Sequence, residues 1–151
     1  MSGGELARVM LALKTLAAED APGKTLIFDE VDAGIGGRIA DVVGSRLQAL
    51  GARFQVLCIT HLPQIAARGS TQFRIEKLVR GNRTMTHVDR LDAGGRIDEV
   101  ARMIGGAAIT AQVRASAKEL ITSAHLEGMR SAPEAKGERR KRKSRGEEIS
   151  H

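Results

Sequence analysis

Apolar residues recur at spacings of three and four over residues 5–19, with Leu6, Val9, Met10, Leu13 and Leu16 on one stripe. That period predicts an amphipathic helix, and Ala21-Pro22-Gly23 breaks it. Residues 25–29 switch to an unalternated run carrying Leu26, Ile27 and Phe28, which predicts a parallel strand buried on both faces. A turn at Ala33-Gly34-Ile35-Gly36-Gly37 leads to a second predicted helix over residues 37–50. Its inner face is read as Ile39, Val42, Val43, Leu47 and Leu50, with Gly51 as C-cap. Residues 54–60 read as a second buried strand and residues 62–67 as a short helix. Residues 73–79 and 84–91 alternate as an antiparallel hairpin around Arg80-Gly81-Asn82-Arg83. Helices over residues 97–104 and 110–125, parted by Gly105-Gly106, close the pattern. Beyond about Glu127 periodicity fails and Ser, Pro, Glu, Lys and Arg dominate. The expected division is a folded lobe over residues 1–125 and a basic, disordered tail over residues 126–151. Strands alternating with helices, then a hairpin, imply an α/β fold whose central strands run parallel.

Composition narrows the chemistry. Phe28, Phe54 and Phe73 are the only aromatic residues, so stacking platforms for exposed bases are essentially lacking. Cys58 stands alone inside the apolar run Val56-Leu57-Cys58-Ile59, which rules out a disulfide framework and reads as a small core residue. The start shows no signal-peptide pattern and no apolar run reaches membrane-spanning length. A cytoplasmic protein is expected, with no membrane partner. Half of the net charge of +6 comes from residues 126–151, concentrated in Arg139-Arg140-Lys141-Arg142-Lys143. Such a run can touch a phosphate backbone by counterion release; a merely solvated tail explains it equally well.

Three short motifs carry candidate chemistry. Asp29-Glu30 ends the first apolar strand, the placement by which nucleotide-hydrolysing α/β folds hold Mg²⁺ and activate water. Alternation sends the two carboxylates in different directions, so each has its own task. The plain alternative is a solvated acidic pair in a turn. Ser2-Gly3-Gly4-Glu5 opens the first helix, where glycine N–H groups, a hydroxyl and the helix dipole suit a phosphate; a simple capping box suits it as well. His61 follows the second strand directly, and parallel pairing delivers it to the same sheet edge as the carboxylates. A structural histidine is the plain reading of that position alone.

In order and spacing, the three together resemble the C-terminal half of an ABC-type ATPase head. Ser2, Gly3, Gly4 and Glu5 look like the signature motif, residues 26–30 like the Walker B strand, and His61 like the switch histidine. Asp29-Glu30-Val31-Asp32 lacks the proline usual after the glutamate in transporter ATPases and resembles the SMC-like branch. Within it, Gly34-Ile35-Gly36-Gly37, Ile59-Thr60-His61-Leu62-Pro63-Gln64-Ile65, Ile75-Glu76-Lys77 and Glu99-Val100-Ala101-Arg102-Met103-Ile104-Gly105-Gly106 are similar to the RecN family of bacterial DNA repair ATPases. The resemblance covers about residues 1–125.

It implies the C-terminal lobe of a P-loop ATPase head that uses ATP and Mg²⁺ in repair and recombination of double-strand breaks. Asp29 would bind Mg²⁺, Glu30 would be the general base, and His61 would contact the γ-phosphate. Ser2, Gly3, Gly4 and Glu5 would bind nucleotide in trans, across a head-to-head homodimer. Asp32, Ala33, Gly34 and Gly36 would form the dimer-interface loop. Many relatives carry Asp at the position of Gly36, a departure that leaves no side chain there for the carboxylate's contact. DNA is the expected partner of the intact, nucleoid-associated protein, with Arg139-Arg140-Lys141-Arg142-Lys143 as an aid.

No glycine-rich loop ending in Gly-Lys-Ser/Thr occurs in the sequence. The expectation is therefore a fragment or partial reading frame, inactive until a missing N-terminal lobe joins it. Two alternatives stand beside this one. One is a non-enzymatic module for DNA or a partner, built on a degenerate ATPase lobe. The other is a transporter ATPase fragment, against which the absent proline counts.

Overall fold

A computed structural model describes residues 23–81 and 83–131. The helix expected over residues 5–19, the Ser2-Gly3-Gly4-Glu5 start and the Arg139-Arg140-Lys141-Arg142-Lys143 run lie outside the described residues. The first described unit is β1 (Thr25–Phe28), α1 (Gly37–Gly51) and β2 (Gln55–Cys58). The two strands pair in parallel, Thr25 opposite Gln55 and Phe28 opposite Cys58, so the helix is their crossover. A short helix α2 (Pro63–Ala66) follows, with Pro63 in its first turn. The hairpin β3 (Phe73–Arg80) and β4 (Arg83–Arg90) comes next, then α3 (Ala93–Gly105) and α4 (Ala111–Ser131).

Hydrophobic burial divides into two cores. Phe28, Ala40, Val43, Leu47, Leu50, Phe54 and Ile65 form the first, binding one face of the parallel strands to α1 and α2. Each large side chain removed from water there contributes about 1.5–3 kcal/mol. The second is smaller: Val100 and Ala101 of α3 meet Ala117 of α4, with Ile97, Val113, Leu120 and Ile121 around them. Arg96 ties the cores together, its guanidinium donating to the carbonyls of Ala67 at 2.8 Å and of Gly69 just after α2.

Several expectations are corrected. The parallel strands are covered on one face only: Ile27, Leu57 and Ile59 are exposed, Ile27 by 57%. An unalternated apolar run predicts two covers, and the described residues supply one. On α1 the inner stripe is Ala40, Val43, Leu47 and Leu50; Ile39 and Val42 sit on its flank, exposed. A helix turns 100° per residue, and the buried set includes Gly44, which centres the stripe on the side of 40 and 47 and leaves 39 at its margin and 42 well outside it. Gly51 belongs to the helix and Ala52 is the C-cap, in right-handed conformation. α3 begins at Ala93, not Ile97, because Asp92 caps it by accepting from the Gly95 N–H at 2.7 Å.

α4 runs on to Ser131, six residues past the expected end at His125. Its extension packs against the first unit: Gln48 Nε2 donates to the Ala124 carbonyl at 3.1 Å, and Arg68 pairs with Glu127 at 2.7 Å. The antiparallel hairpin forms where the sequence predicts it, with Arg80 opposite Arg83 and Gly81 at φ 60. Positive φ at the first turn position is what both favoured two-residue hairpin turns require.

Candidate functional site

Parallel pairing sets the carboxyl ends of β1 and β2 side by side. The Ile59 N–H donates to the Phe28 carbonyl at 2.9 Å, so the next residue of β1, Asp29, lies beside Ile59. Past that edge run two loops, Asp29-Glu30-Val31-Asp32 from the first strand and Thr60-His61 from the second. Residues 31 apart in sequence thereby share one rim, as an open α/β sheet arranges its ligand groups.

Asp29 and Glu30 are exposed. Glu30 has φ 54, the only non-glycine residue with positive φ among the described residues. A residue with a Cβ pays about 1–2 kcal/mol for that conformation. The turn that imposes it is closed by the Ala33 N–H donating to the Glu30 carbonyl at 3.1 Å. Strain of this kind gathers at working sites.

Asp32 sits where the two loops meet. Only 4% exposed, it brings a single carboxylate oxygen, Oδ2, to two hydrogen-bond donors and within ion-pair distance of an imidazole. Thr60 Oγ1 donates at 2.6 Å, the His61 backbone N–H at 2.8 Å, and His61 Nδ1 lies at 3.0 Å. Thr60 Oγ1 in turn accepts from the Leu62 N–H at 3.1 Å, fixing the entry to α2. Burial opposes the charge on Asp32, but the hydrogen bonds from Thr60 and the His61 N–H, with the nearby imidazole, hold its carboxyl below the usual range.

The imidazole of His61 otherwise projects outward, 75% exposed. Cys58 lies beneath the rim, and burial, followed by the charges of Asp32 and Asp29, pushes its thiol up to about 11. It is an inert, protonated side chain at neutral pH.

The arrangement sorts the residues singled out from sequence. Asp29, Glu30 and His61 come together on one rim. Ala33, Gly34 and Gly36 are exposed on the loop that follows. Asp32, of the same expected interface loop, is buried, its carboxylate engaged by Thr60 and the His61 N–H. Ser2, Gly3, Gly4 and Glu5 lie outside the described residues. Thr60 is the residue that sequence reasoning passed over. Its signal was a hydroxyl directly before His61, opposite a second acidic residue two places past the Asp-Glu pair.

Mg²⁺ is commonly held by one or two protein carboxylates, with phosphates and water completing its shell. Asp29, an exposed carboxylate at a strand's end, fits that role. No cluster of three or more His, Cys, Asp or Glu side chains able to cage an ion occurs among the described residues.

No family model matches the chain. It is 48% identical to DNA repair protein RecN of Xylella fastidiosa over 120 residues, 80% of this chain and 22% of that protein. To RecN of Haemophilus influenzae it is 46% identical over 124 residues, and to RecN of Bacillus subtilis 42% identical over 123 residues. These alignments cover 82% of the chain and 22% and 21% of the respective relatives. The chain therefore spans about a fifth of the length of the curated relatives it matches. Its fold is that of a solved SMC ATPase, with a TM-score of 0.53 at 21% identity, covering 72% of this chain and 65% of that one. That structure comes from work on ATP-driven dimerization and DNA-stimulated activation of SMC ATPases.

Proposed function

We infer that this chain, homologous to part of DNA repair protein RecN over about four-fifths of its length, is the C-terminal lobe of a RecN-like ATPase head. The lobe runs on through the end of α4 at Ser131, past the boundary at residue 125 expected from sequence, and the basic tail follows it. The single observation carrying the reading is the shared rim, where Asp29, Glu30 and His61 meet at the carboxyl ends of two parallel strands. The match in sequence to RecN proteins supports it independently.

Each residue has a task fitted to its place. Glu30, exposed at the strand's end and held at positive φ, orients the attacking water and accepts its proton. His61 projects toward the ligand and contacts the terminal phosphate. Asp29 holds Mg²⁺, which when bound offsets phosphate charge. Ser2, Gly3, Gly4 and Glu5 close over nucleotide held by a second head. Ala33, Gly34 and Gly36 line the seam between the two heads. The phosphate grip itself comes from an N-terminal lobe, so the chain alone turns over no ATP. In the complete protein this ATPase acts on DNA in break repair and recombination, in the cytoplasm. No helix among the described residues is long and apolar enough to cross a membrane.

The test is complementation. Co-expressing the chain with the N-terminal part of a RecN relative is expected to restore Mg²⁺-dependent ATP hydrolysis. In that assembly Glu30→Gln is expected to cut turnover by roughly 10²-fold or more while ATP still binds. Undiminished turnover in the variant would remove Glu30 from its role, and a silent wild-type assembly would remove the function.

A further inference from the structure

Among the groups on the rim, one buried carboxylate has no task in the hydrolysis just described. Asp32 is 4% exposed and joins the loop after β1 to the loop after β2 through Thr60 Oγ1, the His61 N–H and His61 Nδ1. A charge withdrawn from water in this way is costly unless it is paired and hydrogen-bonded. Two hydrogen bonds and the imidazole Nδ1, at an ion-pair distance of 3.0 Å, converge on the same oxygen, and two of these three groups belong to His61.

We propose that Asp32 is the positioning residue of the site, fixing the direction and protonation pattern of the His61 imidazole. The proposal rests on the reading of His61 as the phosphate-facing side chain. A carboxylate can only accept, so its approach to 3.0 Å favours the ring form with hydrogen on Nδ1 over the form that sets a lone pair against Oδ2. Nε2 is then the outward atom. In the neutral ring it has a bare lone pair; in the cationic ring it is a donor directed at an anion. A free histidine, with no such partner, places its neutral-state hydrogen by intrinsic preference alone.

The dyad also makes the two loops one mechanical unit. The segment bearing Glu30 is pinned at Asp32, two residues on, and Asp32 holds both the backbone and the ring of His61. A shift of either loop therefore moves the hydrolytic carboxylate and the phosphate contact together. Thr60 completes the link by accepting from the Leu62 N–H while donating to Asp32.

The decisive readout is NMR of the imidazole nitrogens in the 151-residue chain, above the titration range of the ring. Hydrogen on Nδ1 of His61 is expected in the wild type. Asp32→Asn, close to isosteric, is expected to lower the Nδ1–H share, and Asp32→Ala to abolish it. Thr60→Val, which leaves the carboxylate in place, should keep it. If Asp32→Ala fails to fold, the asparagine and Thr60→Val variants still decide. An Nε2–H ring in the wild type, or identical nitrogen signals in wild type and Asp32→Asn, would overturn the proposal.

In the complemented assembly, Asp32→Asn is expected to lower kcat by about tenfold or more, with KM for ATP within about threefold. Equal loss in kcat and rise in KM would point to general disorder of the site and against positioning. No turnover in the complemented wild type would defeat the ATPase reading while leaving the NMR result to stand by itself.

Discussion

At the scale of single residues, Asp32 and Glu30 show opposite solutions to the same loop. Glu30 is exposed and strained at φ 54, and Asp32, two positions later, is buried and satisfied. Because its carboxyl is held below the usual range, Asp32 stabilises the fold when ionised. That contribution is fully present above the unfolded-state value of about 3.9 and is lost as pH falls through the lower folded value. Urea unfolding of wild type and Asp32→Asn should therefore differ at neutral pH, with the gap closing as pH drops below about 4. A gap independent of pH would deny the carboxylate its role. Cys58 supplies a second check. With its thiol at about 11, alkylation in the folded chain near pH 8 should run roughly 10²-fold slower than for an unperturbed cysteine, and unfolding should restore the rate.

Among the elements, α1 approaches α2 and the segment after it closely at a glycine. A Cβ placed on Gly44 would lie 2.8 Å from Arg68 Cδ and 3.3 Å from the Gln64 carbonyl oxygen. The glycine is what lets Arg68 cross the helix to reach Gln48 at 3.2 Å and Glu127 at 2.7 Å. Gly44→Val should cost about 1–3 kcal/mol in thermal or denaturant unfolding, from overpacking against a backbone carbonyl. A near-neutral result would mean that α2 can move away freely. The same contacts explain why α4 outlasts its apolar period. Helix propensity and stripe both fade near His125, yet tertiary bonds to Ala124 and Glu127 hold the next turns.

For the whole molecule, the uncovered strand face dominates. Ile27, Leu57 and Ile59 lie exposed on one side of a two-stranded parallel sheet, an arrangement found almost only with both faces covered. On the hairpin Phe73, Ile75, Val79 and Val88 are exposed as well. A chain with this surface is expected to self-associate when alone. Leu57→Thr should raise its monomer fraction in light scattering or sedimentation, while the same substitution in the complemented assembly should weaken association of the two lobes. No change in either measurement would place this face outside any interface.

Much was legible without coordinates. The apolar run before Asp29-Glu30, the crossover helix, the Thr60-His61 edge and the hairpin all follow from local periodicity and turn chemistry, which depend on neighbours a few places apart. The parallel pairing that gathers the rim follows too, since a strand–helix–strand unit has essentially one arrangement. Which face of each strand is covered did not follow, because cover comes from distant segments. Nor did the inward turn of Asp32, which depends on register: only when Phe28 stands opposite Cys58 does the carboxylate meet Thr60 and His61, 28 and 29 residues away. The sequence by itself determined which groups stand at the sheet's edge. Tertiary structure decided which of them faces solvent and which is spent inside, because burial and hydrogen bonding belong to the packed chain and not to any one segment.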